Sequence, residues 1–390
     1  MVLHYFSFAI TVENLKALED LTVLDLTHAH AGPICTLYLG AMGANVIKIE
    51  PPWGEMTRMF PPLVKGVSPY FAFLDRCKKG VTLDLKNERG KELFEKMIRK
   101  ADIVVENFSP GTMDRLGVGW ERLKELNPEV IYASISGFGH TGPWKDHRSY
   151  DPIAQATSGF MWLMKDAVDP EGKHHVAPEA IADTIPGFTA LIGILAALHS
   201  REKTGKGQRI DVAQLDAMIA VQQSFSFWNL AETTFTQAVK SAGPAVYGLF
   251  EAKDGPVMIS LTAGRITDRF KELLEIEEIT DKKIVDWVSE KAIEEVIVLL
   301  SDNGIPVGPV NDLEKVQENV QAKSRDMFVE VNDPKLGKHL QPGFPIKFSE
   351  LDTDISIHAP TIGEYNNEVY GELLDLSSEE IEELKKEGVI

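Results

Sequence analysis

The sequence predicts an α/β fold: a Rossmann-like large domain around a mostly parallel sheet, with a smaller α+β domain attached. Three observations carry this prediction. Short β-rich runs alternate with helical segments from Leu21 to about Gly139, a mainly helical stretch fills 151 to about 235, and a hairpin pattern follows. Strands separated by helices need crossover connections, which place the strands parallel and cover the sheet with helices. The shifts in pattern divide the chain into 1–235 for the first part of the large domain, 236–330 for the small domain and 331–390 for a segment returning to the large one.

The elements read in order. "TVLDLT" and "NVIKIE" are strands flanking the helical "PICTLYLGAMGA"; "VTLDL" is a strand before the helix "NERGKELFEKMIRK"; "DIVVEN" and "VIYASIS" are strands bracketing the helix "WERLKELN". The small-residue helix feeding a strand that ends in Glu50 suggests a dinucleotide fold, but "THAHAGP" after the first strand lacks the GxGxxG fingerprint. In "YGLFEAKDGPVMISL" the pair Asp254-Gly255 predicts a hairpin turn. "GFPIKFSE" reads as a strand, and "SSEEIEELKKEG" as a terminal helix whose charge run is a solvated face.

Composition narrows the partners. With 390 residues and 44% hydrophobic content the chain can bury a sizeable core. A net charge of −19 argues against a nucleic-acid partner, so an anionic ligand needs a local basic pocket. Cys35 and Cys77 are the two cysteines, without CxxC or Cys/His metal spacing, which predicts reduced thiols in a cytoplasmic protein and no metal site. The opening "MVLHYFSFAITVENLKALEDL" lacks a basic leader and a cleavage site, so secretion is not expected. The longest apolar run, Ile185 to Leu198, is shorter than the ~20 residues of a bilayer span and reads as a buried helix, with no membrane partner.

Just before that run, in "PEAIADTIPGFTALIGILAAL", stands a carboxylate, Asp183. Read locally, Asp183 or Thr184 is the N-cap of the helix and Pro186 belongs to its first turn. A helix N-terminus would also keep an aspartate ionised, and hence nucleophilic.

Seven blocks in order resemble the family III CoA-transferases, the group that includes formyl-CoA:oxalate CoA-transferase, carnitine CoA-transferases and α-methylacyl-CoA racemases. The blocks are "LDLTHAHAGPICTLYLGAMGANVIKIEPP", "KKGVTLDLKNERGKELFEKMI", "ADIVVENFSPGTMDRLG", "LNPEVIYASISGFGHTGP", "SYDPIAQATSGF", "ADTIPGFTALIGILAALHSREKTGKGQRIDVAQLDAM" and "GIPVGPVNDL". The resemblance implies that Asp183 attacks an acyl-CoA thioester, with a coenzyme A thioester and a small carboxylic acid as substrates and no permanently bound cofactor. It implies catalytic roles for His30, where the formyl-CoA transferases carry a glutamine, and for Tyr150. It places coenzyme A against Ala31, Leu83, Lys86, Asn107, Phe108, Ser109, Arg115, Arg148 and Asp151, and implies an interlocked homodimer.

The chain departs from the family pattern in a shorter small domain, with "LEIEEITDKKIVDWVSEK" compressed, and in two further places. Pro51 follows "KIE" where the formyl-CoA transferases have an arginine, and their glycine-run loop has no counterpart in "KSAGPAVYG" beyond Gly243, which implies a roomier or differently covered acyl site. The alternative activity is racemisation of 2-methylacyl-CoA, which uses a histidine where this chain has Tyr150; a phenol, with a pKa of about 10, is a poor base. His140 and His147 lie close in sequence but out of register. A third reading is an acyl-CoA-binding protein without catalysis, favoured if Asp183 is inert.

Overall fold

The computed structural model describes residues 15–241, 246–261 and 264–390. Gly243 and the N-terminal residues through Asn14 lie outside the described residues. Two compact units are present. The first runs up to Met161 and adds Val176–Val221 and Arg325–Ile390; the second comprises Trp162–His175 and Gln222–Ser324.

The first unit is built on six strands: β1 (Thr22–Asp25), β2 (Asn45–Glu50), β3 (Lys79–Thr82), β4 (Ile103–Glu106), β5 (Ile131–Ser136) and β6 (Arg209–Ala213). Every pairing is parallel and the order is β3-β2-β1-β4-β5-β6. The alternation predicts this result, because the connections between strands carry helices: α1 (Ala31–Ala41), α2 (Pro69–Leu74), α3 (Glu88–Ile98), α4 (Thr112–Arg115), α5 (Trp120–Leu126), α6 (Asp151–Thr157), α7 (Phe160–Val168) and α8 (Ile181–Thr204). Most of α7 belongs to the second unit, and α9 (Gln214–Ala220) follows β6. The inner strands are buried on both faces, as a covered parallel sheet requires; β4 is buried throughout, whereas β6 at the sheet edge exposes Arg209 and Asp211. One face buries Leu24, Phe94, Val104 and Tyr370, and the other buries Val23, Leu37, Val105 and Ile194. The strand order reverses direction between β1 and β4, and in such sheets ligands bind outside the strands' carboxyl ends at that switch point.

Helix α8 differs from its reading in three respects. It begins at Ile181 with Ala180 as N-cap, so neither Asp183 nor Thr184 caps it, and Pro186 sits inside the helix rather than in its first turn. The chain before the helix reaches this start through left-handed backbone at Glu179 and Ala180, a conformation that no glycine signals in the sequence. At 24 residues the helix is long and apolar enough, by length and composition alone, to cross a membrane. In the fold it packs on α1 and β5, burying Ala182, Ala190, Leu191, Ile194 and Ala197. Gly187 permits this approach, since a Cβ there would collide with Ile34 of α1.

The second unit has an antiparallel sheet of β7 (Val246–Ala252), β8 (Gly255–Leu261) and β9 (Val307–Pro309), with a core that includes Val257, Ile259, Phe270, Ile284, Val288 and Leu300. The hairpin forms as expected, but Ala252 pairs with Gly255, so the two turn residues are Lys253 and Asp254. Gly255 supplies the positive φ, of 140°, from within the strand. In the first unit, "GFPIKFSE" is not a strand; Pro342 precedes it and Pro345 interrupts it, and the pairing falls on β10 (Phe328–Asp333) and β11 (Gly337–Pro342). The terminal helix Ser378–Lys386 starts on a capping box of Ser377 and Glu380 and buries Ile381 and Leu384, while its run of glutamates lies on the exposed face, as the sequence predicts.

Candidate active site

The loops leaving β1, β4 and β5 meet at the switch point and enclose a cavity of about 300 Å³. Its walls are His28 to Ala31 after β1, Asn107 to Pro110 after β4, Gly137 after β5, His147 to Tyr150 before α6, Asp183 of α8 and Gln214 of α9. Gly137 is required there, because a Cβ would collide with Ser149 and push the 147–150 segment out of the wall.

The floor of the β1 loop is ionic. Lys48 and Lys78 are wholly buried, as are Asp25 and Asp75. Lys78 Nζ lies 3.1 Å from Asp25 Oδ2 and 2.8 Å from Asp75 Oδ1, while Lys48 Nζ lies 3.2 Å from Asp75 Oδ1. Burial opposes the charge on Asp25, yet Lys78 and Lys48 together hold its carboxyl well below the usual range. The same lysines grip the loop at both ends: Lys48 donates to Thr27 O at 2.8 Å and Lys78 to Pro33 O at 3.2 Å. Between those grips Ala29 holds a left-handed φ of 60°, a local strain of the kind found at functional sites.

Asp183 occupies the third position of α8 and shares the cavity wall. Its backbone needs no help from its own side chain, because the capping duty falls to Asp151. Asp151 Oδ1 accepts the Ala182 N–H at 2.7 Å, and Oδ2 accepts from Gln155 Nε2 at 2.7 Å. Asp183 is thereby left with one protein partner among the described residues, Gln214, whose Nε2 donates to Oδ1. Burial, and next the negative charge of Asp151, push its pKa up to about 7, against a smaller opposing pull from Gln214. The expectation that the helix terminus keeps this carboxylate fully ionised is therefore corrected: desolvation and a like charge outweigh the first-turn amides.

His30 is buried, with both ring nitrogens engaged: Nδ1 lies 3.2 Å from Tyr70 Oη and Nε2 lies 2.9 Å from Thr184 Oγ1. Thr184 Oγ1 donates to Ala180 O, so it accepts from Nε2–H while Tyr70 donates to Nδ1. Burial pushes the His30 pKa down to about 4, and the ring is a neutral strut between α2 and α8.

The cavity unites Asp183, His30, Tyr150, Ala31, Asn107, Phe108, Ser109 and Arg148. Leu83, Lys86, Arg115 and Asp151 stand outside its wall. Leu83 is a core residue packed in the cluster with Phe94. Lys86 is exposed on the β3–α3 turn, and exposed Arg115 donates to Thr112 Oγ1 at 2.8 Å. Asn107 lines the cavity, yet its amide zips two loops together: Oδ1 accepts from His28 N at 2.9 Å and Nδ2 donates to His28 O at 2.7 Å. Residues missed in the sequence are His28 and Gln214, and His147, read there as out of register, lines the cavity. "THAHAGP" and "DVAQLDAM" contain the first two, but nothing local relates Gln214 to an acid 31 residues earlier. His140 is off the wall, hydrogen-bonded to Ser134 Oγ at 2.7 Å.

The model of CoA-transferase family III matches residues 18–366. A formyl-CoA:oxalate CoA-transferase of Streptomyces avermitilis is 34% identical, the alignment covering 96% of this chain and 100% of that protein. Another, from Streptomyces coelicolor, is 35% identical with 96% and 99% covered. Among solved structures, a CaiB/BaiF family protein from Brucella suis has a TM-score of 0.79 at 30% identity, covering 92% of this chain and 100% of its own. Rv3272 from Mycobacterium tuberculosis has a TM-score of 0.78 at 27% identity, covering 90% and 99%. The parallel sheet, the cavity at its switch point and a match through nearly the whole length agree, and the chain belongs to CoA-transferase family III.

Proposed function

We propose that the protein transfers coenzyme A from an acyl-CoA to a free carboxylic acid with Asp183 as the covalent relay. The observation that carries this reading is the state of Asp183: relieved of capping by Asp151, aligned by Gln214 and set in the cavity wall. Asp183 attacks the thioester carbonyl; a C–O bond forms, the C–S bond breaks, and coenzyme A leaves as thiolate. The thiolate then attacks the aspartyl carbonyl of the mixed anhydride, releasing the first carboxylate and leaving an aspartyl-CoA thioester. The acceptor carboxylate attacks that thioester, and the returning thiolate takes the new acyl group and frees Asp183. Splitting the exchange conserves the thioester's energy and keeps each step a simple acyl transfer.

The cavity is at the low end of the range for small-ligand pockets, which suits the acyl and thioester end rather than a whole coenzyme A. Arg148 in the wall, with Lys86 and Arg115 outside it, supplies the cations for the phosphorylated end. Formyl-CoA and oxalate are the substrates to try first, because they appear in the names of the relatives. The family resemblance also supports an interlocked homodimer with 236–330 as its small domain. On α8, Ile192 is 68% exposed and Leu195 38% exposed, an apolar face that a second chain would cover.

The test is to incubate the protein with a panel of acyl-CoAs and carboxylic acids and follow new acyl-CoAs by mass spectrometry. Asp183→Ala must abolish exchange, and acyl-CoA alone must leave a hydroxylamine-sensitive adduct on the wild type; full activity in the variant refutes the reading. One observation favours an isomerase instead: His147 shares the cavity with Asp183. Deuterium entering the α-position of 2-methylacyl-CoA at the rate of turnover, with no carboxylate present, would establish that alternative.

A further inference from the structure

The cavity holds two histidines from one motif, and they differ in what their rings can do. The His30 nitrogens are both taken by Tyr70 and Thr184. Among the described residues neither ring nitrogen of His28 has a hydrogen-bond partner, and neither is sealed from solvent as an unpaired buried atom. The ring is nevertheless fixed. It stacks on Phe108 at 5.5 Å with 29° between planes, and its backbone N–H and carbonyl are both held by the Asn107 amide. A rigid, half-buried side chain with its polar atoms unspent is the form a preorganised ligand contact takes.

We propose that His28 donates a ring N–H hydrogen bond to the carbonyl oxygen of the thioester, stabilising the negative charge that builds there as Asp183 attacks. This rests on the covalent reading of Asp183 given above. No proton is transferred: the electron pair of the carbonyl moves onto its oxygen, the C–S bond then expels thiolate, and His28 keeps its proton throughout. The surroundings keep the ring neutral. Burial, and then the buried ammonium of Lys48, push its pKa down to about 4 despite the opposing charge of Asp25. His28 therefore acts as a dipolar donor rather than as an acid, and it does not form an ion pair that would hold Asp183 away from the substrate.

Four variants test this in the first half-reaction, with acyl-CoA alone and hydroxylamine-trappable adduct formation on Asp183 as the readout. His28→Phe keeps the stacking on Phe108 and removes the donor, whereas His28→Asn keeps an N–H donor and gives up most of the ring contact. His28→Ala removes both, and His28→Gln is a second donor should the Asn variant fold poorly. The Ala and Phe variants should form the adduct on the order of 10²-fold more slowly, as loss of an oxyanion donor does, with KM for acyl-CoA nearly unchanged. The Asn or Gln variant should recover to within about tenfold of the wild type, by the same donor logic. If the Phe variant is as fast as the wild type, or the donor variants are as slow as Ala, His28 serves only packing and the proposal falls. A wild type that forms no adduct overturns the covalent reading and this proposal with it, whereas a normal wild-type adduct with an unaffected His28→Phe variant overturns this proposal alone.

Discussion

Replacing Asp151 by Asn should make the enzyme faster in mild acid. On the proposed covalent reading Asp183 must be ionised to attack, and its pKa of about 7 is set first by burial and second by the charge of Asp151. Removing a nearby like charge lowers a carboxyl pKa by about 1 unit. At pH 6 a group with a pKa of about 7 is about one-tenth ionised and one with a pKa of about 6 is about half ionised, so adduct formation should rise roughly fivefold there. At about pH 8 both are ionised and the rates should agree. The substituted amide keeps an acceptor for the Ala182 N–H, so the helix start survives, while the hydrogen bond from Gln155 to Oδ2 is lost. That loss costs about 1 kcal/mol and shows in Tm, not in the pH midpoint. The assay is the burst of thiol released from acyl-CoA without acceptor, measured from about pH 5 to 9 so as to span both midpoints. A wild-type midpoint at the acid end of that range, or an Asp151→Asn midpoint that stays put or moves upward, would refute the assigned electrostatics.

The same raised pKa makes a stability prediction. A carboxyl whose folded pKa lies near 7, above its ordinary value of 3.8, contributes stability in full below about pH 4 and loses it as pH rises from there through 7, so Asp183→Asn should be more stable than wild type at about pH 8 by at most about 4 kcal/mol and equal to it near pH 4, as denaturant titrations at both pH values will show. Lys48→Met leaves Asp75 without one of its two cations and frees the Thr27 carbonyl, so unfolding free energy should fall by about 3–5 kcal/mol; a loss under about 1 kcal/mol would mean the buried cluster is dispensable. Arg115→Ala should raise KM for acyl-CoA several-fold with kcat little changed, and equal KM values would place the guanidinium off the coenzyme. If the interlocked dimer forms, light scattering should find a dimer at every dilution that keeps the chain folded, and a folded monomer would rule it out.

Local pattern determined most of the first unit. Apolar runs such as "TVLDLT" and "DIVVEN" are short, β-rich and bounded by turns, and the helices between them leave a parallel sheet as the solution that covers both faces. Resemblance to the acid that precedes the family's Ala/Gly-rich helix singled out Asp183, which the fold sets in the cavity wall, although its protonation was not legible in the sequence. Periodicity reports which face of an element is buried; it carries no information about which distant loops become neighbours. The order β3-β2-β1-β4-β5-β6 decides that, bringing residues 28, 107, 149, 183 and 214 to one cavity. Only there does Asp151 take over the cap of α8, Gln214 reach Asp183, and two lysines and two aspartates close a charge cluster that no single segment contains. The split between His28 and His30 has the same origin: the residues are two apart in one motif, but the partners that occupy one ring and leave the other open come from α2 and α8, elements far along the chain whose approach is a property of packing.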